Sequence, residues 1–81
     1  MPVVFRYKGY RFFFFSNEGD PPEPMHIHVR RGEATAKFWI SPQISLAESY
    51  NMNSSELREL MRVAEKNRKL IERYWNEHFS I

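Results

Sequence analysis

The sequence predicts an α+β fold, a small antiparallel sheet of four to five strands with one long C-terminal helix packed on one face. Over residues 3–50, short segments alternate apolar and polar side chains with the period of a strand, between glycine and proline turns. From residue 53 onwards, apolar residues recur at helical spacing, and neither proline nor glycine interrupts them. We expect the 81 residues to form a single domain over residues 1–81, with strands over about 3–50 and the helix over about 53–79.

The strand half is predicted to consist of two hairpins and one further strand. The predicted strands are residues 3–8, 10–16, 26–30, 34–40 and 44–50. Lys8-Gly9 suits a two-residue type I′ turn, since Gly9 tolerates the positive φ that this turn requires. Residues 17–24 (NEGDPPEP) form a loop, because three prolines, a glycine and three acids cannot form a ladder.

Register arithmetic assigns side chains to the two faces of the sheet. A turn at Arg31-Gly32 pairs Arg30 with Glu33 and Ile27 with Ala36, and this is the register we predict. We expect a turn at Gly32-Glu33 to place apolar and polar side chains on the same face of the sheet. In the first hairpin, the predicted pairs are Tyr7–Tyr10, Arg6–Arg11, Phe5–Phe12 and Val4–Phe13. The face predicted to lie under the helix is apolar: Val3, Phe5, Tyr7, Tyr10, Phe12, Phe14, Ile27, Val29, Ala34, Ala36, Phe38 and Ile40.

The helix is predicted to begin with a capping box, in which Asn53 caps free N–H groups and Glu56 reaches back. Its apolar stripe includes Leu57, Leu60, Met61, Ala64, Ile71, Tyr74, Trp75 and Phe79. A continuous helix of about 26 residues is about 39 Å long, so it either overhangs the sheet or bends at residues 65–69, where the stripe is interrupted. We expect Asn67 there to bond to strand backbone or to a nearby side chain.

The face away from the helix combines basic and aromatic residues. Its candidate binding residues for a nucleic acid or a protein partner are Arg6, Arg11, His26, His28, Arg30, Lys37 and Trp39, beside Phe13 and Phe15. Arginines directly opposite each other destabilise a strand pair unless an anion lies between them. Basic groups among aromatics suit the phosphates and stacked bases of RNA. An ordinary solvated face, its aromatics covered by a loop or a second subunit, is the commoner alternative.

His26-Ile27-His28 is the one segment with the potential for catalysis or metal binding. Residues i and i+2 of a strand point the same way, so both imidazoles can meet one metal, one phosphate or one ribonuclease substrate. Two histidines do not complete a zinc site, and the sequence has neither an HExxH motif nor a cysteine. We therefore assign no catalytic residue and expect no metal or other cofactor.

Composition indicates in which cellular compartment we expect the protein. The absence of cysteine suits a reducing cytoplasm, and residues 1–6 lack the pattern of a signal peptide. The longest aromatic run, residues 12–15, is too short to span a bilayer. The net charge is only +2, yet the strand half of the chain carries six lysines and arginines, which gives that half a positive bias.

Several segments resemble the bacterial domain-of-unknown-function family 4160. They are Gly9-Tyr10-Arg11-Phe12, Ser16-Asn17-Glu18, His26-Ile27-His28-Val29, Ala36-Lys37-Phe38-Trp39, Leu46-Ala47, Glu56-Leu57 and Trp75-Asn76-Glu77-His78-Phe79. The chain departs from the family at Asn51-Met52, where a glycine and an aromatic are frequent. The resemblance implies a small prokaryotic cytoplasmic protein of undetermined biochemistry. Such proteins are often encoded beside members of domain-of-unknown-function family 2442, in the manner of toxin–antitoxin pairs.

These inferences predict a binding module of a toxin–antitoxin-like pair. Its expected partners are a small protein encoded by a neighbouring gene and RNA, with no membrane contact, and a homodimer is compatible with the sequence. The alternative is a small ribonuclease or metal-dependent enzyme that uses His26 and His28.

Overall fold

A computed structural model describes residues 3–15 and 23–79. Within these ranges the chain forms a five-stranded antiparallel sheet, whose strand order follows the chain, and two helices. The strands are β1 (Val3–Tyr7), β2 (Tyr10–Phe13), β3 (His26–Arg31), β4 (Ala34–Trp39) and β5 (Ser45–Tyr50). The helices are α1 (Ser54–Lys66) and α2 (Arg68–Phe79). The α+β class and the fifth strand are confirmed, but a single long helix is wrong.

The β1–β2 hairpin turns as predicted. Lys8 and Gly9 have φ values of 47° and 83°, the two positive values that define a type I′ turn. The pairs Phe5–Phe12, Arg6–Arg11 and Tyr7–Tyr10 are confirmed, whereas Phe13 lies opposite Val3, because the register shifts between Val3 and Phe5. This irregularity makes Val4 a core residue in place of Val3, which is half-buried.

The β3–β4 hairpin has a different register from the predicted one. Arg31 pairs with Ala34 and Ile27 with Phe38, so the turn is Gly32-Glu33. Gly32 has a φ of 60° at the first central position, which is the glycine position of a type II′ turn. Because the two registers differ by two residues, an even number, the predicted alternation of β3 and β4 side chains between the faces is kept, although His26 at the start of β3 is buried.

One apolar core fills the space between the sheet and the helices. The pairing of β2 with β3 joins both hairpins in one sheet, with Phe12 opposite Val29. The buried core residues are Val4, Tyr10, Phe12, Phe14, Ile27, Val29, Ala36, Phe38, Ile40, Leu60, Val63, Ala64, Ile71 and Trp75. The predicted helix-covered face is thus confirmed except at Val3 and Ala34, which are half-buried outside the core, and the core position of Trp75 is confirmed. Ser16 and most of the predicted loop over 17–24 lie outside the described residues.

Asn67 divides the helical half into two helices. The capping box at Asn53 and Glu56 forms as predicted and begins α1. At Asn67 the backbone N–H donates to the carbonyls of Val63 and Ala64, and its side-chain Nδ2 donates to Val63 at 2.9 Å. The partner of this asparagine is therefore its own helix and not a strand. The carbonyl of Asn67 accepts from the Ile71 N–H at 2.9 Å, so α2 begins directly after the break.

Two glutamates of α1 hold the hairpin ends against the helix. Tyr7 donates a hydrogen bond to Glu59 at 2.5 Å, and Tyr10 donates one to Glu56. Lys8 adds an ion pair to Glu59 at 3.2 Å, and Arg31 lies over the Tyr10 ring at 4.3 Å. These tyrosine hydrogen bonds are the main reason why the pKa of Glu56 and that of Glu59 are both lowered.

Truncation of Phe12 tests the face assignment. Because Phe12 is fully buried, Phe12→Ala should lose about 3–5 kcal/mol of unfolding free energy. Phe15→Ala is the control, since this ring is 40% exposed and its loss should cost about 1 kcal/mol or less. Urea unfolding followed by circular dichroism measures both. Equal losses would contradict the assignment.

Acid unfolding tests the tyrosine–glutamate hydrogen bonds. The pKa of both glutamates is lowered from 4.5 in the folded protein, so their stabilisation is present above pH 4.5 and is lost as the pH falls through the lowered values. In melting curves from neutral pH to about pH 2.5, the double variant Tyr7→Phe/Tyr10→Phe should lose less stability over this range than wild type. Tyr74→Phe, in α2, should keep the wild-type slope. A double variant with the wild-type slope would refute this coupling.

Candidate nucleic-acid interface

The face of the sheet opposite the helices carries polar and aromatic side chains in cross-strand rows. We call it the open face, and it consists of Arg6, Arg11, Phe13, Phe15, His28, Arg30, Thr35, Lys37, Trp39, Glu48 and Tyr50. Two rows follow directly from the pairing. One row includes Arg30, Thr35 and Tyr50. The neighbouring row runs from Phe13 through His28 and Lys37 to Glu48.

Three arginines form the first row of the open face. Arg11 lies directly opposite Arg6 on one side and Arg30 on the other, at the usual strand separation of about 4.8 Å. Within residues 3–15 and 23–79, no carboxylate forms an ion pair with these three side chains, which we call the arginine row. Arg30 Nε donates to the carbonyl of Gly32 at 2.9 Å. The row therefore concentrates positive charge that an anion would stabilise.

The aromatic groups lie beside the arginine row. Phe13 and Phe15 meet edge to face at 5.2 Å, and the His28 ring stacks on Phe13 at 5.7 Å. Phe13 is nearly buried, whereas 40% of Phe15 and 67% of Tyr50 are exposed. Phe15 and Tyr50 thus supply the accessible rings of the open face.

A groove of about 270 Å³ runs over β3 and β4 between these two rings. We call it the open-face groove, and its side-chain lining includes Phe13, Phe15, His28, Arg30, Thr35, Lys37, Glu48 and Tyr50. Tyr50 is the last residue of β5 and Phe15 lies two residues beyond β2, and these two strands are three strand spacings apart, or about 14 Å. Arg30 belongs both to the lining and to the arginine row, so the groove opens beside the positive charge.

Lys37 and Trp39 are on the open face as predicted, but they contact each other. The Lys37 ammonium lies 4.5 Å from the centre of the Trp39 ring and 3.6 Å from the Glu23 carboxylate. Because Lys37 occupies one face of Trp39, Phe15 and Tyr50 are better placed than Trp39 to stack with a base.

His26 is the predicted site residue that the structure removes from the open face. Its ring is fully buried, 5.6 Å from the ring of Trp39 and 5.1 Å from that of Trp75. Its Nδ1 lies 2.9 Å from the Pro24 carbonyl oxygen, which can only accept, so Nδ1 donates. The start of β3 lies under α2, and a contact between such distant segments has no signal in strand periodicity.

His28, in contrast, is half-buried and lines the open-face groove. The two imidazole centres are 5.2 Å apart, so the expected closeness of the histidines is confirmed. Among the described residues, no three His, Cys, Asp or Glu side chains lie together as a metal site would require.

Glu48 and Tyr50 are the groove residues that sequence reasoning missed. Both lie on β5, whose pairing with β4 places Glu48 opposite Lys37 and Tyr50 opposite Thr35. Extending the two-residue alternation from β4 to β5 would have assigned both to this face. The signal was weak, because one extra residue of β5 interrupts the pairing between Phe38 and Lys37.

Comparison with known proteins identifies the family. The family model Domain of unknown function (DUF4160) matches residues 9–76. The chain belongs to DUF4160. The match includes β2 to β5 and nearly all of both helices of this DUF4160 protein, and so confirms the resemblance. Searches of curated proteins and of solved structures gave no significant match. Neither helix of the described ranges has the length and apolar character needed to cross a membrane.

Replacement of Arg11 tests the repulsion within the arginine row. Arg11→Glu converts two like-charge pairs into two opposite-charge pairs and should raise the unfolding free energy by about 0.5–1 kcal/mol at low salt. The gain should shrink at about 0.5 M salt, because the groups are accessible to screening ions. Urea unfolding at both salt concentrations measures it.

Lys69→Glu, at an exposed position of α2, makes the same change in net charge and should give no such gain. If Arg11→Glu destabilises the protein at low salt, the arginine row is part of the structural framework and is not held under repulsion.

Proposed function

We propose that this DUF4160 protein is a binding module for single-stranded RNA, as one member of a toxin–antitoxin-like pair. The observation that carries the proposal is the arginine row, in which Arg11 lies between Arg6 and Arg30 on three neighbouring strands. Neighbouring arginines on adjacent strands repel one another and oppose folding. An anion with several charges removes this repulsion when it binds, and the relief contributes to its affinity.

The charge and donor geometry of the arginine row suit the phosphates of a flexible single strand. Each guanidinium presents several donors in a planar fork, which matches phosphate oxygens. The row crosses the strands, so a nucleic-acid backbone that follows it meets successive arginines. Affinity from such contacts depends on the release of counterions and is independent of sequence.

The exposed rings beside the row suit unpaired bases. Phe15 and Tyr50 stand on opposite sides of the open-face groove, and both side chains are exposed. Bases of single-stranded RNA stack on such rings, whereas the bases of a duplex are stacked on one another. This favours single-stranded over double-stranded RNA.

The burial of His26 favours binding over catalysis. An acid–base pair must reach the ribose and the leaving oxygen of the substrate, and the His26 ring is enclosed by Trp39 and Trp75. His28 lines the groove and is half-buried.

A protein partner is the second part of the proposal, and the free edge of β5 supports it. β5 is the last strand of the sheet, and Leu46 and Tyr50 on it are exposed. Unpaired backbone groups at a sheet edge can pair with a strand of another chain. A small protein encoded by the neighbouring gene would add a strand here without covering the arginine row.

Binding of RNA at two salt concentrations tests the proposal. A fluorescently labelled single-stranded octamer of uridines should bind at 50 mM salt and lose about 20-fold in affinity at 200 mM, as expected for about three neutralised phosphates. Arg11→Glu should weaken binding at 50 mM and flatten the salt dependence. Phe15→Ala should cost about 1–3 kcal/mol through lost stacking. Fluorescence anisotropy measures all three.

Lys69→Glu is the matched control, since it alters net charge equally but lies on α2, and it should leave RNA binding nearly unchanged. The absence of wild-type binding at 50 mM salt would overturn the RNA part of the proposal. Equal weakening by Lys69→Glu and Arg11→Glu would show that overall charge, and not the open face, attracts the RNA.

A further inference from the structure

One acidic side chain lines the otherwise basic and aromatic open-face groove. Glu48 of β5 lies directly opposite Lys37 and is exposed. Its carboxylate can only accept hydrogen bonds and repels phosphates. A surface that attracted nothing but a phosphate backbone would not place this group in its groove.

Lys37 does not neutralise Glu48, although the two residues are cross-strand neighbours. The Lys37 ammonium is directed to Glu23, at 3.6 Å, and to the Trp39 ring. In the part of the chain that the structure describes, Glu48 has neither an ion pair nor a side-chain hydrogen bond. The carboxylate is thus available to a ligand in the groove.

The dimensions of the groove suit one nucleobase. Its volume of about 270 Å³ is at the lower limit of the roughly 300–1,000 Å³ that is typical of pockets for small molecules. The exposed ring of Tyr50 at one side of the groove can contact one flat face of a base. Arg30, which belongs to both the groove and the arginine row, can hold the phosphate attached to that base.

We propose that the open-face groove binds one guanine of a single-stranded RNA and that Glu48 reads its Watson–Crick edge. Guanine presents two adjacent donors there, N1–H and the N2 amino group, which match the two oxygens of one carboxylate. Adenine, cytosine and uracil each present a single donor group on that edge, beside acceptors that a carboxylate repels. This inference rests on the proposed RNA binding and adds a base preference to it.

Octamers of uridine with one central variable base test the preference. The central base is guanine, inosine, adenine or uracil, and binding to the wild-type protein is measured by fluorescence anisotropy at 50 mM salt. The guanine octamer should bind about fivefold or more tighter than the adenine and uracil octamers, the lower range for a good bidentate contact. Inosine lacks the N2 amino group and should lose most of this advantage.

Glu48→Gln should abolish the guanine preference and leave the affinity for the uracil octamer unchanged or higher, because a negative charge is removed. Glu33→Gln, in the exposed turn between β3 and β4, makes the same change in net charge and should keep the preference. Melting curves of both variants control for folding.

The outcomes separate this inference from the proposed function. If wild type binds every octamer equally and with the expected salt dependence, guanine recognition is wrong and RNA binding stands. A guanine preference that persists in Glu48→Gln would assign the recognition to another group and overturn the role of Glu48. If no octamer binds at 50 mM salt, the proposed RNA binding itself fails, and guanine recognition fails with it.

Discussion

A single layer of helices covers the five-stranded sheet, and this constraint assigns every strand side chain to one of two environments. Side chains alternate between faces, so a position's parity decides whether it contacts α1 and α2 or solvent. Phe12, Ile27 and Phe38 are consequently enclosed by the helices. The arginine row could not lie on that face, because buried unpaired guanidinium groups would cost far more than exposed ones. The open face depends on this division.

The face on which a strand side chain lies could be predicted from the sequence, because it depends on local alternation alone. The β3–β4 register was displaced by two residues, and yet the predicted alternation of side chains was kept along both strands. The capping box at Asn53 and the type I′ turn at Lys8-Gly9 are also local devices with fixed residue preferences, and both were predicted correctly. The break at Asn67 was visible as an interrupted apolar stripe, but the hydrogen bonds that Asn67 makes to Val63 and Ala64 were not.

The features of the structure that could not be predicted from the sequence depend on contacts between distant segments. His26 follows the alternation of its strand, but it is buried because Trp75 approaches from α2. The direction of Lys37 is set by Glu23, which precedes β3, and not by its strand neighbour Glu48. Predicting the arginine row required only the pairing within the hairpins and the pairing of β2 with β3, and its three members were all candidates from the sequence. Predicting the open-face groove also required the position of β5.

The strand order has a consequence for how the chain acquires its structure. Each strand pairs only with strands adjacent to it in sequence, so the longest connection that the sheet must close is that between β2 and β3, residues 14–25. Low contact order of this kind is associated with rapid folding, because little chain entropy is lost before contacts form. The helices follow the strands in the chain, so during synthesis the sheet can form while its apolar face is still uncovered. Transient exposure of that face would make the nascent chain prone to aggregation until α1 and α2 dock.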